Sequence, residues 1–423
     1  MPAYTELFMA KAVTYVKSFF PIFMLGAVFG KVMEDTGLAK SISHAIIKGL
    51  GKERAILAVV LSGAVLTYGG VSLFVVVFAV YPFATALFKE ASIPKRLIPG
   101  SVALGAFTFT MDSFPGTPQI QNLIPTNFFG TNAYAAPISG ILGGVAIFLI
   151  GMWYLERRRK SAQAAGEGYG NHTLNEPPPV DESSLPAWQL AILPLITVLV
   201  VNFVMTRMFV WDVNMLQAFQ AMKLPLLAPA VKNVVSIWSL IIALVCGIVL
   251  AVGLGISRLP QGGLARALNA GAIGSLLAIM NTASEVGYGN VIASLPGFKS
   301  ISSALLSIKV GGSPLVSEAV SVTTLAGITG SASGGMSIAL DLMAKDWLAW
   351  ANQIGMSPEI LHRVASMASG GMDTLPHNGA VITLLAVCGL THRDSYRDIF
   401  AITVIKTAMV FAVIIFHTLT GIL

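Results

Sequence analysis

Between Arg54 and Lys89 the chain carries no charged residue. A run of that length is too long for one helix across a hydrocarbon core of about 30 Å, and Thr67-Tyr68-Gly69-Gly70-Val71-Ser72 breaks it in the middle. The pattern predicts two half-helices meeting at a tip, a re-entrant hairpin over about 55–88. A second apolar run, 319–340, is interrupted around Thr329-Gly330-Ser331-Ala332-Ser333-Gly334-Gly335-Met336-Ser337 and predicts a matching hairpin over about 316–350. Uncharged runs at 134–155, 187–206, 233–256, 268–284 and 407–421, with a shorter one at 18–30, read as ordinary spans. Two more segments, about 97–123 and about 364–390, read as broken transmembrane helices, with breaks at Asp112 to Pro118 and Gly371 to Gly379.

The two halves are related. Gly69-Gly70-Val71-Ser72-Leu73 matches Gly334-Gly335-Met336-Ser337-Ile338, Pro94 matches Pro358, and Met111-Asp112-Ser113-Phe114-Pro115 matches Met372-Asp373-Thr374-Leu375-Pro376. The matches keep their order at separations of 265, 264 and 261 residues (334−69, 358−94, 372−111), which implies an internal duplication. A stretch over 156–186, with Arg157-Arg158-Arg159-Lys160 and then Gly, Asn and Pro177-Pro178-Pro179, reads as a disordered cytoplasmic linker. The uncharged loop Leu123 to Pro137 fits the outside. Its counterpart in the second copy holds Arg393, Arg397 and Lys406 and fits the inside, so equivalent loops face opposite sides and the copies are expected to be inverted.

Composition agrees with the pattern. Of 423 residues 55% are hydrophobic and 11% charged, too few charges to cover a soluble surface, which excludes an ordinary cytosolic enzyme. Continuous apolar runs exclude an outer-membrane barrel, whose strands alternate. The formal net charge of +6 would suggest nucleic acid in a soluble chain, but here the basic residues sit in loops and orient the membrane domain. Cys246 and Cys388 lie in apolar runs, and nothing in the pattern calls for a disulfide, metal or cofactor. Met1 to Lys17 lacks a cleavable-signal pattern. The expected fold is an all-α polytopic membrane protein with two inverted-topology repeats, 1–155 and 257–423, each with a re-entrant hairpin and a broken helix, joined through the linker and two connecting helices at 187–256.

Interrupted helices in lipid leave main-chain groups to be satisfied by protein or by a water-filled cavity, so the four breaks mark an internal site. Half-helix N-termini favour an anion such as a carboxylate, and freed carbonyls can hold a cation, an arrangement of secondary transporters. Asp112 is the sole charge between Arg96 and Glu156, and Asp373 is the sole Asp, Glu, Lys or Arg between Arg363 and Arg393, with His377 just after it. These three are candidates for carrying a coupling proton, the two carboxylates otherwise serving as helix caps and His377 as a hydrogen-bond spacer. Gly70, Ser72, Ser331, Ser333, Gly334, Gly335 and Ser337 at the tips are candidates for binding a hydroxylated substrate, as are Thr117, Gln119, Asn122 and Asn378 at the breaks; some would merely satisfy backbone. Glu34, Asp35 and Glu285 are expected at the interface. No H-E-x-x-H or G-x-S-x-G motif suggests an enzyme.

The stretch L-F-V-V-V-F-A-V-Y-P from Leu73, L-I-P-G from Leu97 and F-T-F-T-M-D-S-F-P-G-T-P-Q-I-Q-N from Phe107 resembles the gluconate permease (gluconate:proton symporter) family of the ion transporter superfamily. The resemblance covers nearly the whole membrane portion, and P-G-T-P-Q-I-Q-N is its most specific part. It implies a bacterial inner-membrane protein taking up a sugar acid or small hydroxy-monocarboxylate, of the gluconate or 3-hydroxybutyrate class, with protons. It also implies a homodimer with scaffold and transport parts, elevator-type movement, and a further hydrophobic helix ahead of the first one here. Sodium coupling on the same fold and a facilitative carboxylate channel are the alternatives.

Overall fold

The computed structural model describes residues 1–178, 181–224, 226, 230–261 and 263–423. Pro179 of the linker's proline run lies outside the described residues, as do four positions of the 187–256 segment. Among the described residues the fold is all helical. Six segments are long and apolar enough to cross a membrane: Ala3–Asp35, Pro137–Ala164, Trp188–Met208, Val235–Arg258, Gly263–Ile292 and His392–Thr420.

The long helix α1 (Met9–Asp35) leads into α2 (Leu38–Leu50), and the uncharged run then folds as α3 (Ala55–Tyr68) and α4 (Leu73–Glu90), joined by Gly69 to Ser72. Next come α5 (Leu97–Ala106), the single turn α6 (Phe109–Asp112), α7 (Ile124–Phe129) and the long α8 (Pro137–Ala164). Past the linker lie α9 (Trp188–Ala191), α10 (Leu193–Phe203), α11 (Gln217–Ala221) and α12 (Val235–Gly255). The opening order of elements then recurs: long α13 (Gly263–Ala293), short α14 (Pro296–Leu306), and paired α15 (Leu315–Thr329) and α16 (Ala332–Gln353). After them α17 (Pro358–Ser369) and α18 (Gly379–Val387) flank a break, and α19 (His392–Thr420) closes the chain.

Small residues let these helices approach closely, because lipid offers no hydrophobic drive to hold them together. Gly271 of α13 lies on the Val28 main chain of α1, and Gly247 of α12 meets Val198 of α10 and Phe29 of α1. Gly105 of α5 lies on the Val60 carbonyl of α3, Gly151 of α8 on Leu104, and Gly335 of α16 on the main chain of Leu325 and Ala326 in α15. Helices α1, α10, α12 and α13 thus form one packed group, and α3, α5, α8, α15, α17 and α19 form another. The chain's last residues cap the start of α8, with Ile138 N donating to Leu423 O at 3.0 Å and Ser139 Oγ to Ile422 O at 3.2 Å. They sit a full helix of 28 residues, about 42 Å, from the linker at Ala164.

Two expectations are corrected. The segment 156–186 is not a disordered linker over its described residues: the first of them extend α8 to Ala164, and the stretch 167–176 is strapped across helix ends. Glu167 receives Arg96 at 2.7 and 2.8 Å, Glu176 pairs with Lys89 at 2.5 Å and Lys95 at 2.7 Å, and Asn175 Nδ2 donates to Ala386 O of α18 at 2.7 Å. Its charges find partners far off in sequence, which composition cannot register. Nor do Arg393, Arg397 and Lys406 lie in a loop, since all three belong to α19 and Lys406 is buried within it.

Candidate functional site

At the first break, α5 stops at Ala106 and the chain runs through Gly116 (φ +80°) to Pro118 before helix resumes. Polar side chains take over the freed carbonyls, as burial without water requires. Thr110 Oγ1 donates to Gly105 O at 2.7 Å, Thr117 Oγ1 to Thr110 O at 2.7 Å, and Asn122 Nδ2 to Thr117 O at 3.0 Å and Ala133 O at 2.8 Å. Thr117 and Asn122 are fully buried, and their donors are committed to the backbone. At the second break Asn378 caps α18 by accepting from Val381 N at 2.9 Å.

Each hairpin tip rests on the break of its own half. Gln119 Nε2 donates to Thr67 O at 2.8 Å, Tyr68 Oη donates to Pro115 O at 2.8 Å, and Gly70 (φ +94°) faces Pro118. In the second half Asn378 Nδ2 donates to Gly330 O at 2.7 Å, and Gly327 faces Met372. An amide from the break therefore holds a tip carbonyl in both halves. His377 also sits over Gly330 but is exposed, unlike the buried charges.

Those charges meet where the two breaks cross. Lys406 Nζ donates to Phe107 O at 2.6 Å and lies 3.3 Å from Asp373 Oδ1 and 3.6 Å from Asp112 Oδ2. All three side chains are buried. Ser113 Oγ donates to Asp112 Oδ1 at 2.8 Å, whereas Asp112 Oδ2 has no hydrogen-bond partner. Gly370 is required here, because a methyl group on it would overlap the Asp112 carboxylate.

A second buried cation clamps the first break from α17. Arg363 Nη1 donates to Asp112 O at 3.3 Å and Asn122 Oδ1 at 3.0 Å, and its Nη2 donates to Ala135 O at 2.8 Å. Ser366 Oγ donates to Asp112 O at 2.8 Å, and His362 bridges Thr131 Oγ1 at 2.6 Å and Asn122 Oδ1 at 3.3 Å. Arg363 and Lys406 balance Asp112 and Asp373, so the buried set is neutral when all four are ionised. The sequence alone put Lys406 in a loop and did not single out Arg363 or His362 for the site. The signal was there in part, since Lys406 stands alone between apolar residues from Ile399 to Val413 and Arg363 is the sole charge between Glu359 and Asp373.

Around the second tip, Ser331 accepts from Gly334 N at 3.1 Å, Ser337 Oγ donates to Ser333 O at 2.7 Å, and Ser333 lies 3.4 Å from Thr282 of α13. Glu285 of α13, expected at the interface, instead sets its carboxylate against Gly334. A cavity of about 360 Å³ opens beside this tip, lined by Lys11, Tyr15, Asn127, Trp238, Ser337 and Asp341. Ser72 is half-buried at the other tip, against Gly30 of α1. Among the described residues no group of three His, Cys, Asp or Glu side chains is placed to hold a metal ion.

The family model described as GntP family permease matches residues 17–330. A protein of Bacillus subtilis (strain 168) described as the uncharacterized transporter YxjC is 54% identical over 431 residues, covering 100% of this chain and 90% of its own length. The high-affinity gluconate transporter of Escherichia coli (strain K12) is 29% identical over 183 residues, 42% of this chain and 38% of that protein. Among solved structures, the YdaH transporter of Alcanivorax borkumensis shares the fold with a TM-score of 0.59 at 14% identity, over 96% of this chain and 88% of that one. MtrF of Neisseria gonorrhoeae has a TM-score of 0.50 at 12% identity, over 96% and 82%.

Proposed function

Since the chain belongs to the GntP family of permeases and is a multi-pass transporter of the bacterial inner membrane, we propose that it imports a small hydroxy-monocarboxylate or sugar acid together with protons. The observation that carries this reading is the buried meeting of Asp112, Asp373 and Lys406 between the two helix breaks. A carboxylate entering a site whose fixed charges already balance adds one uncompensated negative charge. Burying a net charge is expensive, so a proton that travels with the anion restores neutrality. Asp112 Oδ2, which lacks a hydrogen-bond partner, is the atom that takes it.

The substrate's carboxylate lies at the hairpin tips, where the N-termini of α4 and α16 offer partial positive charge, and its hydroxyls meet Ser72, Ser333 and Ser337. The gluconate transporter among the relatives supports the substrate class. The ordered sequence matches and the recurring element order support two repeats, and the end of α19 against the start of α8 supports their inversion. The packing of α1, α10, α12 and α13 on one another supports a scaffold past which the hairpins and breaks move as an elevator, and family membership is the ground for a homodimer.

Uptake into proteoliposomes under imposed pH or sodium gradients, with a panel of carboxylates, tests the reading. A pH gradient should drive accumulation, and Asp112→Asn or Asp373→Asn should abolish uphill accumulation while counterflow exchange persists. Normal accumulation in both variants, or dependence on sodium alone, refutes it.

A further inference from the structure

A helix interrupted inside a membrane leaves oxygen atoms that a cation can satisfy. Three such oxygens converge here on one point. Phe107 O comes from the end of α5, Asp112 Oδ2 from the end of α6 and Asp373 Oδ1 from the loop after α17, at 2.6, 3.6 and 3.3 Å from a single atom, Lys406 Nζ. The ammonium donates to Phe107 O and Asp373 Oδ1 and keeps a third N–H on the side of Asp112 Oδ2, which it holds at ion-pair distance. The point is also closed: a methyl group at Gly370 would come within 2.5 Å of Nζ.

The remaining charges around α19 do not compete for this role. Of the elements packed on it, α17 contributes Arg363, which is engaged with the main chain of Asp112 and Ala135. Helix α15 contributes Glu318, which is buried and has no hydrogen-bond partner on either oxygen. Tyr154 and Arg158 of α8, with Arg96 ahead of α5, gather on Asp398, eight residues before Lys406 (406−398) and so about 12 Å along the helix.

We propose that Lys406 is a built-in coupling cation. Its ammonium fills a monovalent-cation site formed jointly by the two breaks, ties the broken helices of both halves together, and makes the transporter indifferent to sodium. The proposal rests on reading the two breaks as the transport site. Removing the side chain should turn the three oxygens into a sodium site, because carboxylate and carbonyl oxygens suit a hard cation.

The test is thermal unfolding of the purified full chain in NaCl against choline chloride at equal ionic strength. The wild type and Lys406→Arg should melt at the same temperature in both salts. Lys406→Ser, which vacates the site and leaves a hydroxyl, should gain a saturable sodium-specific rise in Tm of about 3 °C or more. If Lys406→Ser unfolds during purification in choline, sodium should rescue it. A sodium-stabilised wild type, a Lys406→Ser protein indifferent to sodium, or one lost in both salts overturns the proposal. The readout needs no substrate, so a failure of carboxylate uptake would sink the transport reading and leave this one standing or falling separately.

Discussion

Gly70 and Gly335 occupy matching positions in the two sequence motifs, yet the structure gives them different work and therefore different substitution costs. Gly335 lies where α16 crosses α15, and a methyl group there would sit 2.5 Å from the Leu325 carbonyl carbon and overlap the main chain of Ala326. Ordinary contact begins at 3.4 Å, so the two arms would have to part by at least about 0.9 Å (3.4−2.5), and by more to clear Ala326. Main chain cannot rotate aside as a side chain can, so the whole hairpin pays the overpacking cost of about 3 kcal/mol, the upper part of the usual range. Gly70 has φ +94°, and its methyl group would be tight only on Pro118 Cγ, at 3.2 Å, with Val198 and Phe29 at ordinary contact distance. The strain of that backbone conformation is about 1–3 kcal/mol, and it falls on a tip held to the break by Gln119. Gly274 of α13 is the control, since a methyl group there meets nothing within 4 Å and Ala is the better helix former by about 0.8–1.0 kcal/mol. Melting of the three Ala variants in detergent should rank Gly274 most stable, Gly70 lower and Gly335 lowest, with Gly335→Ala losing monodispersity. A Gly335→Ala protein as stable as Gly274→Ala would refute the packing argument.

His377→Gln should leave the pH dependence of uptake unchanged, because the imidazole is exposed over Gly330 whereas Asp112, Asp373 and Lys406 are buried; a shifted profile would return it to the coupling path. Glu176→Gln should lower the melting temperature at pH 7. Burial pushes the Glu176 carboxyl up, but hydrogen bonds from Lys89, Lys95 and Tyr169 outweigh it and hold the group below the usual carboxylate range. Its stabilisation is therefore present above about pH 4.3 and is lost as pH falls through the lowered folded value, so the gap between wild type and Glu176→Gln should close on acidification. A gap that persists in acid would show that charge is not what holds the strap.

The hairpins were legible because Gly69 to Ser72 and Gly330 to Ser331 interrupt runs that are otherwise too apolar to stop. Asp112 and Asp373 were legible for the same reason, as lone charges in uncharged surroundings. Lys406 was misplaced because counting Lys and Arg to orient loops treats each alike, and Arg393 and Arg397 a few turns earlier made one more cation look like loop. What distinguishes it is a pair of carboxylates supplied by other helices, and that depends on tertiary packing. Thr117 and Asn122 show the opposite difficulty: a hydroxyl or amide at a break looks the same in sequence whether it faces a ligand or, as here, a neighbouring carbonyl. The strap escaped notice because its Gly, Asn and Pro content matches a disordered segment, while Glu167 and Glu176 meet Arg96 and Lys95 from distant positions.

The strap's anchors also differ in when they become available during synthesis. Arg96, Lys89 and Lys95 precede it in the chain and are made first. The Ala386 carbonyl that receives Asn175 lies 211 residues later, and so does the stretch around Gly389 that packs on Leu174. A chain emerging from the ribosome therefore holds the strap by its contacts to the first half alone until α18 is inserted, and the segment stays open to proteases until then. Chains that stall before the second half enters would be cut there, and finished ones spared.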